Sequence, residues 1–297
     1  MIGRPMLIAF ANRFFDDWPS PPPSPRHDLR FTHDPDELAA ADAVVFHLAS
    51  PGHRPEHAQP PGQLWVGWTM ESRDMCPPFR DEALMAGFDL TMTYERTSDV
   101  WCPYFGPGHV RAYEQLPPPP EARAANPVAW LCRNRFDQIG RVAYAAELMQ
   151  HVQVDSFGDV LRNRPQRIGG GNARIDLYRR YKFTLAFENS DCPDYVTEKL
   201  FDPLIAGSVP VYRGTESVTG LAPHPHCYID ARDFSSPAEL GRYLTHLDAH
   251  DDEYQAFHAW RTEGPTAGFR AHAEQVEEPF WKLADLIEQH ATRTRAG

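Results

Sequence analysis

Short runs of consecutive apolar residues, separated by polar and turn-rich stretches, mark the first hundred residues. Met6–Phe10, Ala43–Leu48, Leu64–Trp68 and Phe88–Tyr94 are too short for buried helices and carry many β-branched or aromatic side chains, so they are expected as buried strands. A helix is expected before the second of these, capped by Asp34 or Asp36 and running to Ala41. From Val128 the pattern becomes more regular. Strands are expected at Val128–Cys132, Val152–Phe157, Phe183–Phe187, Val209–Tyr212 and Tyr228–Ile229. Between them, helices are expected at Asp137–Gln150, where Val142, Ala145, Leu148 and Met149 share a face, at Ile175–Tyr181, at Thr197–Ala206 and at Pro237–Leu247. Pro203 should kink the third of these or restart it at Asp202. Strands alternating with helices imply parallel sheets covered on both faces. Phe280, Trp281, Leu283 and Leu286 suggest a terminal helix.

Proline adds a division. Of 29 prolines, 20 lie at or before Pro127, and four in a row stiffen the stretch 114–127, which has no apolar periodicity. The expected organisation is an N-terminal α/β domain at 1–118, a linker at 119–127, a second α/β domain at 128–265 and a helical tail at 266–297.

Composition narrows the function classes. Hydrophobic residues make up 42% and charged residues 24%, an ordinary globular balance. Lys+Arg 29 against Asp+Glu 41 gives a net charge of -12, which disfavours broad nucleic-acid or anionic-membrane binding but allows a local basic pocket. No apolar run of about 18 residues offers a transmembrane helix. The start of the chain looks like a strand and not a signal peptide. Five scattered cysteines (Cys76, Cys102, Cys132, Cys192 and Cys227) form no CxxC pair, so neither a disulfide framework nor a zinc site is expected and the cytoplasm is the simplest compartment. Only Lys182, Lys199 and Lys282 are lysines.

Ligands on parallel α/β sheets sit beyond the carboxyl ends of the strands. No GxGxxG or GxxxxGK[ST] is present, and the glycines 169–171 follow no convincing strand. The informative stretch is YKFTLAFENSDCPDYVTEKLFDPLIAGSVPVYRG, from Tyr181 to Gly214. Glu188, Asn189 and Ser190 follow a strand. Thr197 or Asp194 can cap the next helix, which leaves Glu198 and Lys199 in its first turn. Free amide groups and the positive end of the helix dipole favour a phosphate there. Lys199 adds a mobile charge, and the Glu198 carboxylate suits vicinal ribose hydroxyls. Together these describe a nucleotide-sugar pocket.

This stretch resembles the donor-binding motif of the α1,3/4-fucosyltransferase family, in Phe187-Glu188-Asn189-Ser190, in Tyr195-Val196-Thr197-Glu198-Lys199 and in Val209-Pro210-Val211-Tyr212-Arg213-Gly214. Trp68-Thr69-Met70-Glu71-Ser72 resembles an earlier block of the family, and so does FDLTMTYERTSDVWCPY from Phe88 to Tyr104. Weaker similarity follows Val128 and Asp233, so that the resemblance spans about residues 64–260. It implies two Rossmann-like domains facing across a cleft, the GT-B architecture. It also implies transfer of L-fucose from GDP-β-L-fucose, with inversion, to a glycan hydroxyl such as the N-acetylglucosamine of a LacNAc-like unit in α1,3 linkage.

The resemblance assigns Glu71 the general-base position. It puts Arg141 on the donor pyrophosphate, Asn134 in the same loop, and Glu188 and Asn189 against the sugar or its phosphates. Glu198 falls on the ribose hydroxyls, and Lys199 and Tyr195 on the phosphate side. The family's proline after Glu-Ser is Arg73 here, and its serine before Asn134 is Arg133. The short chain, without stem or heptad-repeat tail, is similar to the bacterial type that serves glycan assembly. No DxD motif stands near a strand end, so Arg141 and Lys199 are expected to replace a divalent ion, with no metal or other cofactor essential. The expected partners are a GDP-sugar and a glycan acceptor.

Alternatives from the residues alone remain open. One is the same fold using another GDP-sugar. A second is a non-catalytic nucleotide-sugar or glycan binder, against which an acid at Glu71 argues. A third is a glycoside hydrolase pairing Glu71 with Glu198, which requires both carboxylates about 5–10 Å apart.

Overall fold

The computed structural model describes residues 4–54, 58–116 and 124–296, with side chains through residue 293. The chain forms two units, Met1–Pro103 with Val276–Gly297, and Tyr104–Gln275.

The first unit is a six-stranded, wholly parallel sheet of β1 (Met6–Phe10), β2 (Leu29–Thr32), β3 (Ala43–His47), β4 (Leu64–Thr69), β5 (Leu90–Thr93) and β6 (Val100–Trp101), in the order β2-β1-β3-β4-β5-β6. Successive side chains on a strand point to opposite faces. Ile8, Phe10, Ala43 and Val45 therefore join one core, and Leu7, Ala9, Val44 and Phe46 the other. Burial on both faces is why these strands read as unbroken apolar runs instead of alternating ones. The weak sequence signals belong to the two strands at the edges. Half-exposed Leu-Arg-Phe-Thr and two-residue Val-Trp form the edges β2 and β6, neither of which was expected.

The second unit is a five-stranded parallel sheet of β7 (Val128–Trp130), β8 (Val154–Ser156), β9 (Phe183–Phe187), β10 (Val209–Arg213) and β11 (Ile229–Asp230), in the order β11-β10-β9-β7-β8. All five expected strands are present, some shorter than expected. The helix expected from Asp137 begins at Arg141. Asp137 instead caps it from four residues upstream, accepting hydrogen bonds from the amides of Arg141 (2.8 Å) and Val142 (3.0 Å). Pro203 does not restart its helix, which runs continuously over Glu198–Ala206. One lost backbone hydrogen bond is outweighed there by the burial of Leu200, Phe201 and Leu204.

The division differs from the one expected near residue 120. Helix Pro107–Glu114 packs in the second unit, where buried Tyr113 meets Trp260 and Phe269 edge-on or tilted. The expected tail splits. Helix Ala267–Gln275 stays with the second unit through Phe269. Helix Pro279–Ala296 instead puts Phe280, Leu283 and Ile287 into the core of the first unit, on β1, β3 and β4. Apolar surface, not position in the chain, decides where each piece goes. Most of the expected linker at 119–127 lies outside the described residues.

Candidate active site

In the second sheet β7 leads outward to β8, and β9 leads the other way to β10 and β11, so the chain reverses direction between β7 and β9. Loops that part at such a point leave a crevice at the carboxyl ends of the strands. The residues singled out in this half flank it. The loop 134–140 leaves β7, and Glu188 to Lys199 leaves β9. Gln138 donates its amide to the Asn189 carbonyl at 2.8 Å and ties the two together.

At the start of helix Glu198–Ala206, Thr197 is the cap, and its hydroxyl accepts from the Lys199 amide. Glu188 is wholly buried, at 0% exposure. Its carboxylate accepts from the Thr197 amide (2.8 Å) and from the Thr197 hydroxyl (2.9 Å to each oxygen). The Lys199 ammonium lies 3.2 Å from Glu188, 2.9 Å from the Thr197 hydroxyl and 3.3 Å from Glu198.

Burial would lower the Lys199 pKa, but Glu188 and Glu198 more than reverse this and hold the ammonium charged. Burial likewise pushes Glu198 up, while Lys199 and Arg174 outweigh it and keep the carboxyl below its usual range. For Glu188 burial prevails over Lys199, and its pKa is raised. The Lys199 and Glu198 side chains remain 25% and 32% exposed, so both can reach a ligand. Glu188 cannot do so without a rearrangement, which departs from its expected place against the sugar.

Arg141 departs in a similar way. It is 1% exposed, and its guanidinium donates to the carbonyls of Phe187 (3.1 Å), Asn134 (2.8 Å) and Phe136 (3.0 Å). It braces the ends of β7 and β9, and its positive charge reaches Lys199. A ligand therefore meets the field of Arg141 before its surface. Exposed Asn134 closes its own turn by accepting from the Phe136 amide at 2.9 Å. Asn189 and Tyr195 are buried, and Tyr195 meets the ring of Tyr104 edge-on at 6.2 Å.

In the first unit, half-buried Glu71 follows β4 in a turn fixed by its own neighbours. Its amide donates to the Thr69 hydroxyl at 3.0 Å, and Met75 and Cys76 donate to the Ser72 carbonyl. Arg73, standing where the family carries proline, holds the turn by other means. Its guanidinium forks onto Glu95 at 2.5 and 2.8 Å and lies 4.2 Å from the centre of the Phe79 ring. The Arg-Thr-Ser-Asp turn is structural too, since Asp99 accepts from the Thr91 amide at 2.8 Å.

The first sheet reverses between β1 and β3, and the residues there were not foreseen. Asn12 pairs with the backbone of His47 at 2.7 and 2.8 Å, and His47 Nδ1 lies 2.8 Å from the Ser50 hydroxyl. Phe14 stacks on Trp68 at 4.8 Å, and Phe15, at φ 53 and 45% exposed, covers His47. Burial lowers the His47 pKa to about 4, so the ring is neutral. For Asn12, Phe14, Phe15 and Ser50 the only signal in the sequence is a position just after a strand.

Two family descriptions match the chain, Fucosyltransferase, N-terminal over residues 8–105 and Glycosyltransferase family 10 (fucosyltransferase) C-term over residues 122–296. The chain belongs to glycosyltransferase family 10. Among relatives in this family, human Alpha-(1,3)-fucosyltransferase 4 is 33% identical over 313 residues, 99% of this chain. The chain spans about half the length of that relative, 55%. The 4-galactosyl-N-acetylglucosaminide 3-alpha-L-fucosyltransferase FUT6 of Pan troglodytes is 36% identical over 269 residues, 87% of this chain and 72% of that one. The GDP-fucose protein O-fucosyltransferase 3 of Gallus gallus is 40% identical over 157 residues, 50% of this chain and 33% of that one. A crystal structure of an alpha1,3-fucosyltransferase with GDP-fucose superposes with a TM-score of 0.64 at 18% identity, covering 95% of this chain and 90% of that one. The shared fold is GT-B, with two parallel-sheet α/β units.

For a family 10 chain the residues that sequence reading left out are the ones behind the ligand-facing groups. Thr197 has only a capping role in the sequence, and Arg174, whose charge acts on Glu198, carries no signal there. Among the described residues no group of three His, Cys, Asp or Glu side chains could hold a metal ion. The five cysteines are buried, free thiols. No helix among the described residues is long and apolar enough to cross a membrane.

Proposed function

We propose that the chain transfers L-fucose from GDP-β-L-fucose to an acceptor hydroxyl with inversion at the anomeric carbon. The observation that carries this reading is the pairing of Lys199 with Glu198 at a helix start, beside the reversal point of the second sheet, in a chain of family 10. A diphosphate placed there gains the helix dipole and the ammonium, while the amides of Thr197 and Lys199 are already taken by Glu188 and the Thr197 hydroxyl. Glu198, 32% exposed, offers its carboxylate to the two ribose hydroxyls. Asn134, Asn189 and Tyr195 complete the donor-binding set, with Arg141 acting from behind through its charge.

In the reaction the acceptor oxygen bonds to the anomeric carbon as the bond from that carbon to the β-phosphate oxygen breaks. The electron pair leaves with GDP, and the acceptor proton passes to the Glu71 carboxylate. A general base of this kind contributes about 10²–10⁴-fold. Fixed positive charge facing the developing diphosphate is worth several kcal/mol in a dry site, about 3 for a single donor. Lys199 and Arg141 supply that charge, so turnover is expected to persist after dialysis against a chelator. The rival GDP-sugar reading keeps this machinery and changes only the hexose pocket.

The names of the relatives share fucose and differ in acceptor, either a galactosyl-N-acetylglucosaminide or a protein. We favour the N-acetylglucosamine of a LacNAc-like unit, in α1,3 linkage. The aromatic group of Phe15 and Trp68 beside His47 supports a sugar, whose apolar face packs on such rings. A protein hydroxyl is the second reading. The test is calorimetric titration with GDP-fucose, GDP-mannose and UDP-glucose, followed by GDP release with LacNAc and with hydroxyl-bearing peptides. GDP-fucose binding with LacNAc-dependent release is the expected result. Tighter binding of GDP-mannose, or release with peptides alone, replaces the donor or the acceptor respectively.

A further inference from the structure

Glu188 is an expensive residue to bury beside a phosphate site, because a carboxylate without exposure is stabilised only by what it touches. Its contacts are selective. The Thr197 hydroxyl has one proton. The Lys199 ammonium, a donor only, approaches that oxygen at 2.9 Å, so the Thr197 proton points the other way, onto Glu188. Glu188 therefore sets the direction of the hydroxyl, and the hydroxyl together with Glu188 takes two of the three ammonium N–H groups. The third faces the exposed side, where Glu198 lies at 3.3 Å.

The room for Glu188 is specific as well. A methyl group on Gly214 would stand 2.8 Å from Glu188 Cγ and 2.6 Å from the Tyr212 hydroxyl, so the end of β10 accommodates this glutamate only with glycine opposite.

We propose that Glu188 is a positioning residue that, directly and through Thr197, aims the Lys199 ammonium at a nucleoside diphosphate. The buried pair of Lys199 with Glu188 persists when the donor binds. The exposed pair of Lys199 with Glu198 opens, which gives one N–H to the diphosphate and frees Glu198 for the ribose diol. This rests on the donor reading above.

The chain has three lysines, so trace acetylation with acetic anhydride read by mass spectrometry follows each one, with Lys182 and Lys282 as internal controls. In Glu188→Gln the rate at Lys199 should rise about tenfold, the step that one pKa unit makes in free amine, while both controls stay level. Affinity for GDP should fall about tenfold, one charge-assisted hydrogen bond, while affinity for GMP changes less than about twofold. In a Lys199→Met background, Glu188→Gln should cost GDP nothing more, because the two act as one unit.

Should Glu188→Gln not fold, Thr197→Val carries the same expectations, and Thr197→Ser should restore wild-type behaviour. An unchanged Lys199 rate in a folded variant overturns the proposal, as does an equal loss of GDP and GMP or an additive double variant. Failure of the wild type to bind GDP overturns the donor reading instead, and the Lys199 rate alone then decides the positioning.

Discussion

At the residue scale, Glu71 and His47 make different demands on their surroundings. Glu71 stands in a turn held by the amides of Glu71, Arg73, Met75 and Cys76 and by the Arg73–Glu95 pair, and an amide in place of its carboxyl keeps the side chain's size. Glu71→Gln should lower turnover by about 10²-fold or more with GDP affinity unchanged, as measured by steady-state kinetics and calorimetry on one preparation. Near-normal turnover would remove Glu71 from the base position.

His47 bears on stability. Its pKa lies near 4 in the fold, against 6.5 in the unfolded chain, because burial disfavours the charged ring. Between those values the unfolded state binds the proton and the native state does not. The stabilisation is thus complete above pH 6.5 and is lost as pH falls toward 4, up to about 3 kcal/mol at 1.36 kcal/mol per unit. His47→Phe keeps a ring packed against Phe14 and Trp68 and removes the titration. The drop in melting temperature of the first unit between pH 7 and pH 5 should shrink in this variant. An unaltered drop would place the acid sensitivity elsewhere.

At the element scale, the carboxyl ends of the strands are held by close backbone approach. Gly158, just beyond β8, faces the chain leaving β7 so closely that an added methyl would lie 1.8 Å from the Cys132 carbonyl oxygen. No side-chain rotation relieves a clash with backbone. Gly158→Ala should cost about 3 kcal/mol or more, in the range of the severe backbone and overpacking mutations, and should lower the denaturation midpoint accordingly. The helix that carries Lys199 is less exacting. Pro203 sits inside it without breaking it, because the buried face of an amphipathic helix outweighs one missing hydrogen bond.

At the scale of the whole molecule, the last helix is a structural part of the first unit and not a tail. Phe280, Leu283 and Ile287 fill the core over β1, β3 and β4, and Phe280 meets Phe10, Phe31 and Trp68 edge-on. At roughly 1.5–3 kcal/mol for each large apolar side chain buried, their loss rivals a domain's entire margin of about 5–15 kcal/mol. A chain ending at residue 275 should lose the cooperative melt of the first unit and expose apolar surface to a dye such as ANS. A retained melt would show that the six-stranded sheet closes its core without the helix.

The period of the apolar runs determined the fold class and the strands at the centre of each sheet, because a strand buried on both faces needs consecutive apolar residues whatever lies around it. The order Glu188, Asn189, Tyr195, Thr197, Glu198, Lys199 similarly determined the chemistry on offer, since the start of a helix after a strand draws anions by local geometry. Only the tertiary structure decided which of these groups meet a ligand and which stand behind it. The burial of Glu188 and Arg141 follows from strands far apart in the chain closing over them. The edge β2 is half-exposed and β6 pairs over only two residues, so neither leaves an apolar run, while the pairing of Asn12 with His47 and the allegiance of the last helix depend on partners more than thirty and more than two hundred residues away.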